Sequence, residues 1–233
     1  MNLPEVVSRE EWVTARKALL EKEKVVTRER DMINEERKKL PMVKVDEPYR
    51  FTGPDGGVLS LLDLFEGRRQ LIVRHFMFEP ERVEGCIGCS MQADSVGALE
   101  HMWARDTTFV MVSRAPQSKL LAFKERMGWK MPWYTAIGDE FNRDYDVTTD
   151  EGDSPGVSAF IRDGDDVFHT YSIYDRGGDI FKSFYNYLDI TYLGRQEDVL
   201  EHPWDWWRHK DRYEDGTATG PGENWWNGTR YQQ

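Results

Sequence analysis

The hydrophobic pattern changes character twice along the chain. From Ser8 to Lys39, isolated apolar residues are spaced among alternating Glu, Lys and Arg, the signature of a solvated, ion-paired helix. Ser8-Arg9-Glu10-Glu11 is a capping box, in which the Ser8 hydroxyl accepts from the Glu11 amide while the Glu11 carboxylate reaches back. Val7 and Trp12 take the staple positions around it. The helix is predicted to run to about Lys39, and Pro41 forbids continuation soon after. Unbroken, it would span ~45 Å, longer than a small domain. A break near Val25-Val26-Thr27 is therefore expected, or an arm that packs on a partner subunit, with a helical cover over the domain's own surface as the other arrangement.

From Tyr49 the period shortens. Tyr49–Thr52 and Val58-Leu59 flank Gly53-Pro54-Asp55-Gly56-Gly57, a hairpin signal, and Ser60 then caps a short helix that Gly67 stops. Leu71–Phe78 is a mostly apolar run of strand length, as expected of a strand buried on both faces. A helical stretch from Ser90 to Ala104, a strand from Thr107 to Val112, a helix from Pro116 to Met127 and a short strand from Pro132 to Ile137 follow. Val157–Arg162 and Val167–Ser172 form a further hairpin across Asp163-Gly164-Asp165-Asp166, and Asp179–Leu188 a closing helix. Beyond about Gly194 the periodicity is lost. The aromatic clusters at 204–207 and at Trp225-Trp226 are expected to anchor an irregular extension by packing on the domain.

Charge and composition narrow the class. With 39% hydrophobic and 13% aromatic residues the chain can build a core, and no run approaches the ~18 apolar residues of a membrane helix. A net charge of −11 without a basic patch excludes nucleic acid and anionic membranes as partners. The N-terminus lacks the basic start and apolar run of a secretory leader, so a cytoplasmic location is expected. In that reducing setting the two cysteines, Cys86 and Cys89, are better suited to catalysis or metal binding than to a structural disulfide.

The element order, two strand–helix units followed by a hairpin and a helix, places the first two core strands side by side and parallel, with the CxxC after the first of them at a helix start. Free amides at a helix N-terminus favour thiolate over thiol, and the two-residue spacing lets one sulfur resolve a mixed disulfide formed by the other. On this pattern Cys86 is expected at the rim with the lower pKa, as attacking thiol, and Cys89 deeper, as resolving thiol. The carboxylates of Glu79, Glu81 and Glu84 oppose ionisation at Cys86. Arg114 follows the second strand on the same edge, where it would add positive charge. Pro155 precedes the third core strand, where a cis peptide facing the dithiol is expected. His75 and His169 are further candidates for tuning charge.

These residues carry a resemblance. The hairpin, the short helix, LIVRHFMF and the CxxC look like the opening of peroxiredoxins and thioredoxin-like reductases, and Pro155-Gly-Val-Ser-Ala-Phe-Ile-Arg-Asp-Gly looks like the cis-proline strand of thioredoxins. Gly-Cys-x-Gly-Cys-Ser, Val-Ser-Arg-Ala-Pro (112–116), Arg-Met-Gly-Trp (126–129) and Phe-His-Thr-Tyr-Ser (168–172) are similar to the bacterial thioredoxin-like family catalogued as a domain of unknown function (number 899), related to the AhpC/TSA-like superfamily. The resemblance covers roughly residues 5 to 213. It implies a fold and redox chemistry of unspecified kind. Two departures stand out: Gly85 replaces the Trp that precedes the thioredoxin motif, and Val83 stands where peroxiredoxins carry a hydroxyl.

The fold expected is a thioredoxin-like three-layer α/β sandwich over residues 41–194, with a helical arm (1–40) and an irregular extension (195–233). The favoured function is thiol–disulfide exchange or thiol-dependent reduction by Cys86, Cys89, Pro155 and Arg114 without a cofactor. Its substrate would be a disulfide-containing protein, a small thiol or an oxidant. A copper or zinc site from Cys86, Cys89 and His169 is the alternative. A third reading is a non-catalytic interaction module that forms a homodimer through the helical arm.

Overall fold

A computed structural model describes residues 3–213, which divide into two compact units on either side of the Pro41–Met42 junction. The first unit is built around α1 (Arg9–Arg37), and both bonds of the Ser8 capping box are present. The expected break at Val25-Val26-Thr27 does not occur: α1 is continuous over 29 residues. Each β-branched residue costs only ~0.5 kcal/mol of helix propensity relative to Ala. The surrounding Lys, Glu and Arg are good helix formers and make ion pairs such as Lys24–Glu21 and Arg16–Glu23. No residue of α1 is buried.

The second unit holds β1 (Val43–Lys44), the hairpin β2 (Arg50–Thr52) and β3 (Val58–Ser60), and β4 (Gln70–His75). The chain continues through α2 (Ile87–Asp94), α3 (Glu100–Trp103), β5 (Thr107–Ser113), α4 (Gln117–Met127), β6 (Trp133–Ile137) and α5 (Glu140–Asp144). It ends in a small ribbon of β7 (Thr148–Thr149) and β8 (Gly152–Asp153), the long hairpin β9 (Gly156–Asp163) and β10 (Asp166–Tyr174), and α6 (Ser183–Leu188). The main sheet runs β1-β10-β9-β4-β5-β6-β2-β3. As expected from the βαβ order, β4 and β5 are parallel, and β9 lies antiparallel on the other side of β4. Two expected helices are shorter than their periodicity suggested. The stretch from Ser90 breaks into α2 and α3 around Gly97, and residues 175–181 tighten into 3-10 turns before α6.

Side-chain alternation along β4 and β5 sorts the core into two clusters, one on each face of the sheet. Leu71, Val73, Val110 and Val112 join Phe51, Leu64, Phe65 and Phe141 on one face. Phe76 and Met111 join Trp129, Trp133, Phe123, Leu120 and both cysteines on the face covered by α2 and α4. Helices on both faces of a mixed sheet make this a thioredoxin-like three-layer α/β sandwich. Trp133, fully buried, donates its Nε1–H to Ser113 Oγ at 2.9 Å, and that hydroxyl donates to the Phe76 carbonyl, so the aromatic core leaves no polar group of these two side chains unmet.

Candidate functional site

The CxxC lies at the carboxyl end of β4 because the intervening loop closes on itself. Cys86 N–H donates to the Met77 carbonyl at 3.0 Å and Ala115 N–H to the Phe78 carbonyl at 2.7 Å. Residues 79–85 are thereby looped out without moving the motif from the sheet edge. Cys86 is the N-cap of α2, and its Sγ accepts from the Cys89 amide at 3.2 Å. Gly85 has a steric reason: a Cβ there would lie 2.6 Å from the Phe76 ring. Phe76 fills the space that a side chain before the motif would need.

Both sulfurs are buried. Cys86 is 3% and Cys89 1% exposed, so the expectation of an accessible Cys86 at the rim is not met. They belong to the core cluster under α2 and α4, and the chain from Trp204 to Tyr213 packs on the segment that carries them. Trp207 packs so closely on the motif that a Cβ at Gly88 would lie 2.7 Å from its ring. His209 donates from Nε2 to the Gly85 carbonyl at 3.0 Å, the carbonyl fixing the proton on that nitrogen. Arg212 bonds Glu84, Arg126 bridges Glu84 and Asp211, and Lys210 reaches Asp94 at 2.8 Å. The extension expected to dock by its aromatics does so at 204–207, with Trp206 against Phe184 and Tyr185. Trp225-Trp226 lie outside the described residues.

The positive charge beside the dithiol comes from Arg74. Its Nη2 donates to Cys89 Sγ at 3.2 Å while its Nη1 holds the Gly156 carbonyl at 2.9 Å. Burial pushes both thiols up. At Cys89 it is outweighed by the hydrogen bond from Cys86, the Arg74 guanidinium, a Met77 backbone hydrogen bond and the charge of Lys182, which hold this thiol down at about 6. At Cys86, burial acts together with the hydrogen bond to and the repulsion from Cys89, and drives the thiol well above its ordinary range. The expected pKa order is therefore reversed: the hydrogen bond from Cys86 and then the Arg74 guanidinium favour the thiolate at Cys89 over one at the helix end.

The remaining candidates separate. Pro155 lines one cavity with Arg74, Cys86, Cys89, Lys182 and Trp207. Its peptide bond is trans, against expectation; trans is favoured by ~0.5–1 kcal/mol even before proline. Arg114 does not line this cavity. Its guanidinium is held by Asp153 at 3.0 Å and Asp139 at 3.1 Å. His169 is aligned with Phe160 and Leu71 across three strands, which puts it on the sheet face opposite the dithiol. There it closes a hydrogen-bonded row, His75–Ser158–Ser172–His169, with steps of 2.9, 2.8 and 2.8 Å. Cys86, Cys89 and His169 thus do not fit a copper or zinc ion, and no other group of three metal-ligating His, Cys, Asp or Glu occurs among the described residues. Two of the three carboxylates expected to oppose the thiolate are paired, Glu79 with Arg82 and Glu84 with Arg126 and Arg212.

Arg74 was missed although it carries a signal. An arginine within the apolar run LIVRHFMF must find an acceptor once buried, because an unpaired charge inside a protein costs several kcal/mol. Lys182, 7% exposed, and Trp207 could be placed only by tertiary structure.

The family model of DUF899, bacterial protein of unknown function, matches residues 1–213. The chain belongs to this family. No curated protein matches it. Among solved structures, peroxidoxin BcpB from Mycobacterium tuberculosis is similar at 14% identity and a TM-score of 0.48, over 62% of this chain and 94% of that one. The mitochondrial 2-Cys peroxiredoxin from Plasmodium falciparum is similar at 9% identity, TM-score 0.41, over 65% and 92%. Plasmodium yoelii thioredoxin peroxidase I is similar at 15%, TM-score 0.43, over 65% and 91%. At these levels the likenesses carry no inference about chemistry. Among the described residues no helix is long and apolar enough to cross a membrane.

Proposed function

We propose that this DUF899 protein is a thiol–disulfide oxidoreductase in which Cys89 attacks and Cys86 resolves. The contact that carries the proposal is Arg74 Nη2 on Cys89 Sγ, at the wall of a cavity that both sulfurs line. A thiol held near 6 is mostly thiolate at neutral pH, and the thiolate is the nucleophile. In the first step the Cys89 thiolate attacks one sulfur of a disulfide R–S–S–R, forming Cys89–S–S–R and expelling RS⁻. Cys86 then attacks the Cys89 sulfur and closes the Cys86–Cys89 disulfide, its proton leaving with the second thiol as RSH. The substrate gains two electrons and the dithiol loses two. Pro155 shapes the approach to the sulfurs, and Lys182 adds to the positive field at Cys89.

Single cysteine variants test the assignment. Cys86→Ser is expected to form a stable mixed disulfide at Cys89, seen by peptide mass, and Cys89→Ser to react with no disulfide at neutral pH. Mild oxidation of the parent chain should remove two hydrogens. Trapping at Cys86 in Cys89→Ser would reverse the roles. Failure of the parent chain to form the internal disulfide would end the redox proposal.

A further inference from the structure

We infer that the physiological substrate of this dithiol is an uncharged, largely apolar disulfide of low molecular weight, and that protein disulfides and anionic thiol compounds are excluded. The inference rests on the redox assignment above and adds the substrate class. Three observations carry it.

The first is access. Exchange needs the attacking sulfur within ~3–3.5 Å of the sulfur attacked. With Cys86 and Cys89 at 3% and 1% exposure beneath Trp207, a disulfide anchored in another folded chain cannot come that close. A free small molecule has a route that a folded chain lacks, because both cysteines line a cavity of about 650 Å³, within the range of ligand pockets.

The second is the wall. Trp204, Trp207, Tyr185, Ile173 and Leu200 line the same cavity and supply apolar and aromatic surface for an organic group.

The third is charge. Four basic and five acidic side chains line the cavity. Each of the basic groups is already engaged. Arg74 is on Cys89 and the Gly156 carbonyl, Lys182 and Arg176 on Asp179, and Arg195 on Asp189. An anionic substrate would find its cations paired and an excess of carboxylates around it. A neutral one loses nothing by entering.

Single-turnover oxidation of the pre-reduced full-length protein tests this with three reagents. They are dipyridyl disulfide (uncharged and aromatic), dithiobis(nitrobenzoate) (its dianionic counterpart) and insulin (a protein disulfide). Each rate is divided by that of the same reagent with free dithiothreitol, which removes intrinsic reactivity. The Cys86–Cys89 disulfide is counted by mass. After normalisation, dipyridyl disulfide should exceed the dianion by at least about tenfold, a difference of ~1.4 kcal/mol, and insulin should be slower still. Equal normalised rates for the two small reagents, or insulin as fast as either, would overturn the inference. If none of the three oxidises the dithiol, the redox assignment itself falls. Trp207→Ala, which removes the indole over Gly88, should narrow the gap between insulin and the small reagents. An unchanged gap would overturn burial as its cause.

Discussion

Replacing Arg74 by Met removes the guanidinium in contact with Cys89 and leaves a side chain of similar length in its place. The contact is 3.2 Å. A bare Coulomb estimate at ~4 Å and an effective dielectric of ~20 gives about 4 kcal/mol, which is a ceiling because other groups relax toward the sulfur. Hydrogen bonds to charged groups contribute about 1.5–3 kcal/mol, or roughly one to two pKa units. The titration of Cys89, held at about 6 in the parent chain, should therefore move to between about 7 and 8. At neutral pH the thiolate fraction falls from about nine-tenths to between about half and a tenth. A more basic thiolate is also a better nucleophile, so a rate at one pH understates the change. The assay is thus the ultraviolet absorbance of the thiolate followed across pH on the folded protein. Arg114→Met, which disturbs only the pairs with Asp139 and Asp153, should leave the curve in place. Arg74→Lys, which keeps the charge, should shift it less than Arg74→Met. A shift below about half a unit in folded Arg74→Met, or an equal shift in Arg114→Met, would refute the assignment of the charge to Arg74.

Three further outcomes are expected. Gly88→Ala gains helix propensity but drives a Cβ to 2.7 Å from the Trp207 ring, so it should lower stability by ~1–3 kcal/mol in thermal unfolding and speed iodoacetamide labelling of the cysteines. Glu84→Gln weakens the ties from Arg126 and Arg212 that hold residues 204–213 down. It should speed the same labelling by up to about fivefold, and added salt should speed labelling of the parent chain in the same direction. His75 is fully buried, and burial, with the nearby Arg74 and His169, lowers its pKa to about 3. The unfolded chain binds this proton first, so stability falls as pH drops below 6.5 toward 3, by roughly 3 kcal/mol at pH 4. His75→Gln should flatten urea-denaturation stability between pH 7 and 4, and an unchanged slope would exclude His75 as its source.

The sheet was legible because its signals are local. The Gly-Pro-Asp-Gly-Gly turn, the apolar run before the motif and the Asp-Gly hairpin each specify their own backbone, and the βαβ order then leaves one hand for the crossover. Cys86 and Cys89 at a helix start were legible for the same reason. The charge that selects between them was not, because it depends on which face of β4 meets α2. Arg114 sits at a strand end, as a functional arginine would, yet β8 brings Asp153 to it; nothing near Arg114 in sequence foretells that pair. The closure by Trp207 and His209 joins residues more than a hundred positions apart, where periodicity is silent.

Strand register is what ties the fold to the proposed choice of nucleophile. Along β4, side chains alternate between the two faces of the sheet, so Arg74 faces the dithiol and its neighbour His75 faces the Ser158–Ser172–His169 row. A slip of one residue would exchange them and put an imidazole beside Cys89. That imidazole, buried and short of an acidic partner, would stay neutral and leave the thiol near the range that burial alone sets. The arginine, displaced to the other face, would meet Phe141 and Tyr145, which pack on His75 now, and no anion. β4 is protected from such a slip on both edges: Gln70–His75 pairs with Thr107–Val112 on one side and with Ile161–Gly156 on the other. The central strand thus owes its position to ladder pairing on both edges over its whole length, and that pairing delivers one guanidinium to one sulfur. The charge environment of Cys89 is in this sense a consequence of the core, and core substitutions that loosen β4 should raise the Cys89 pKa before they unfold the protein.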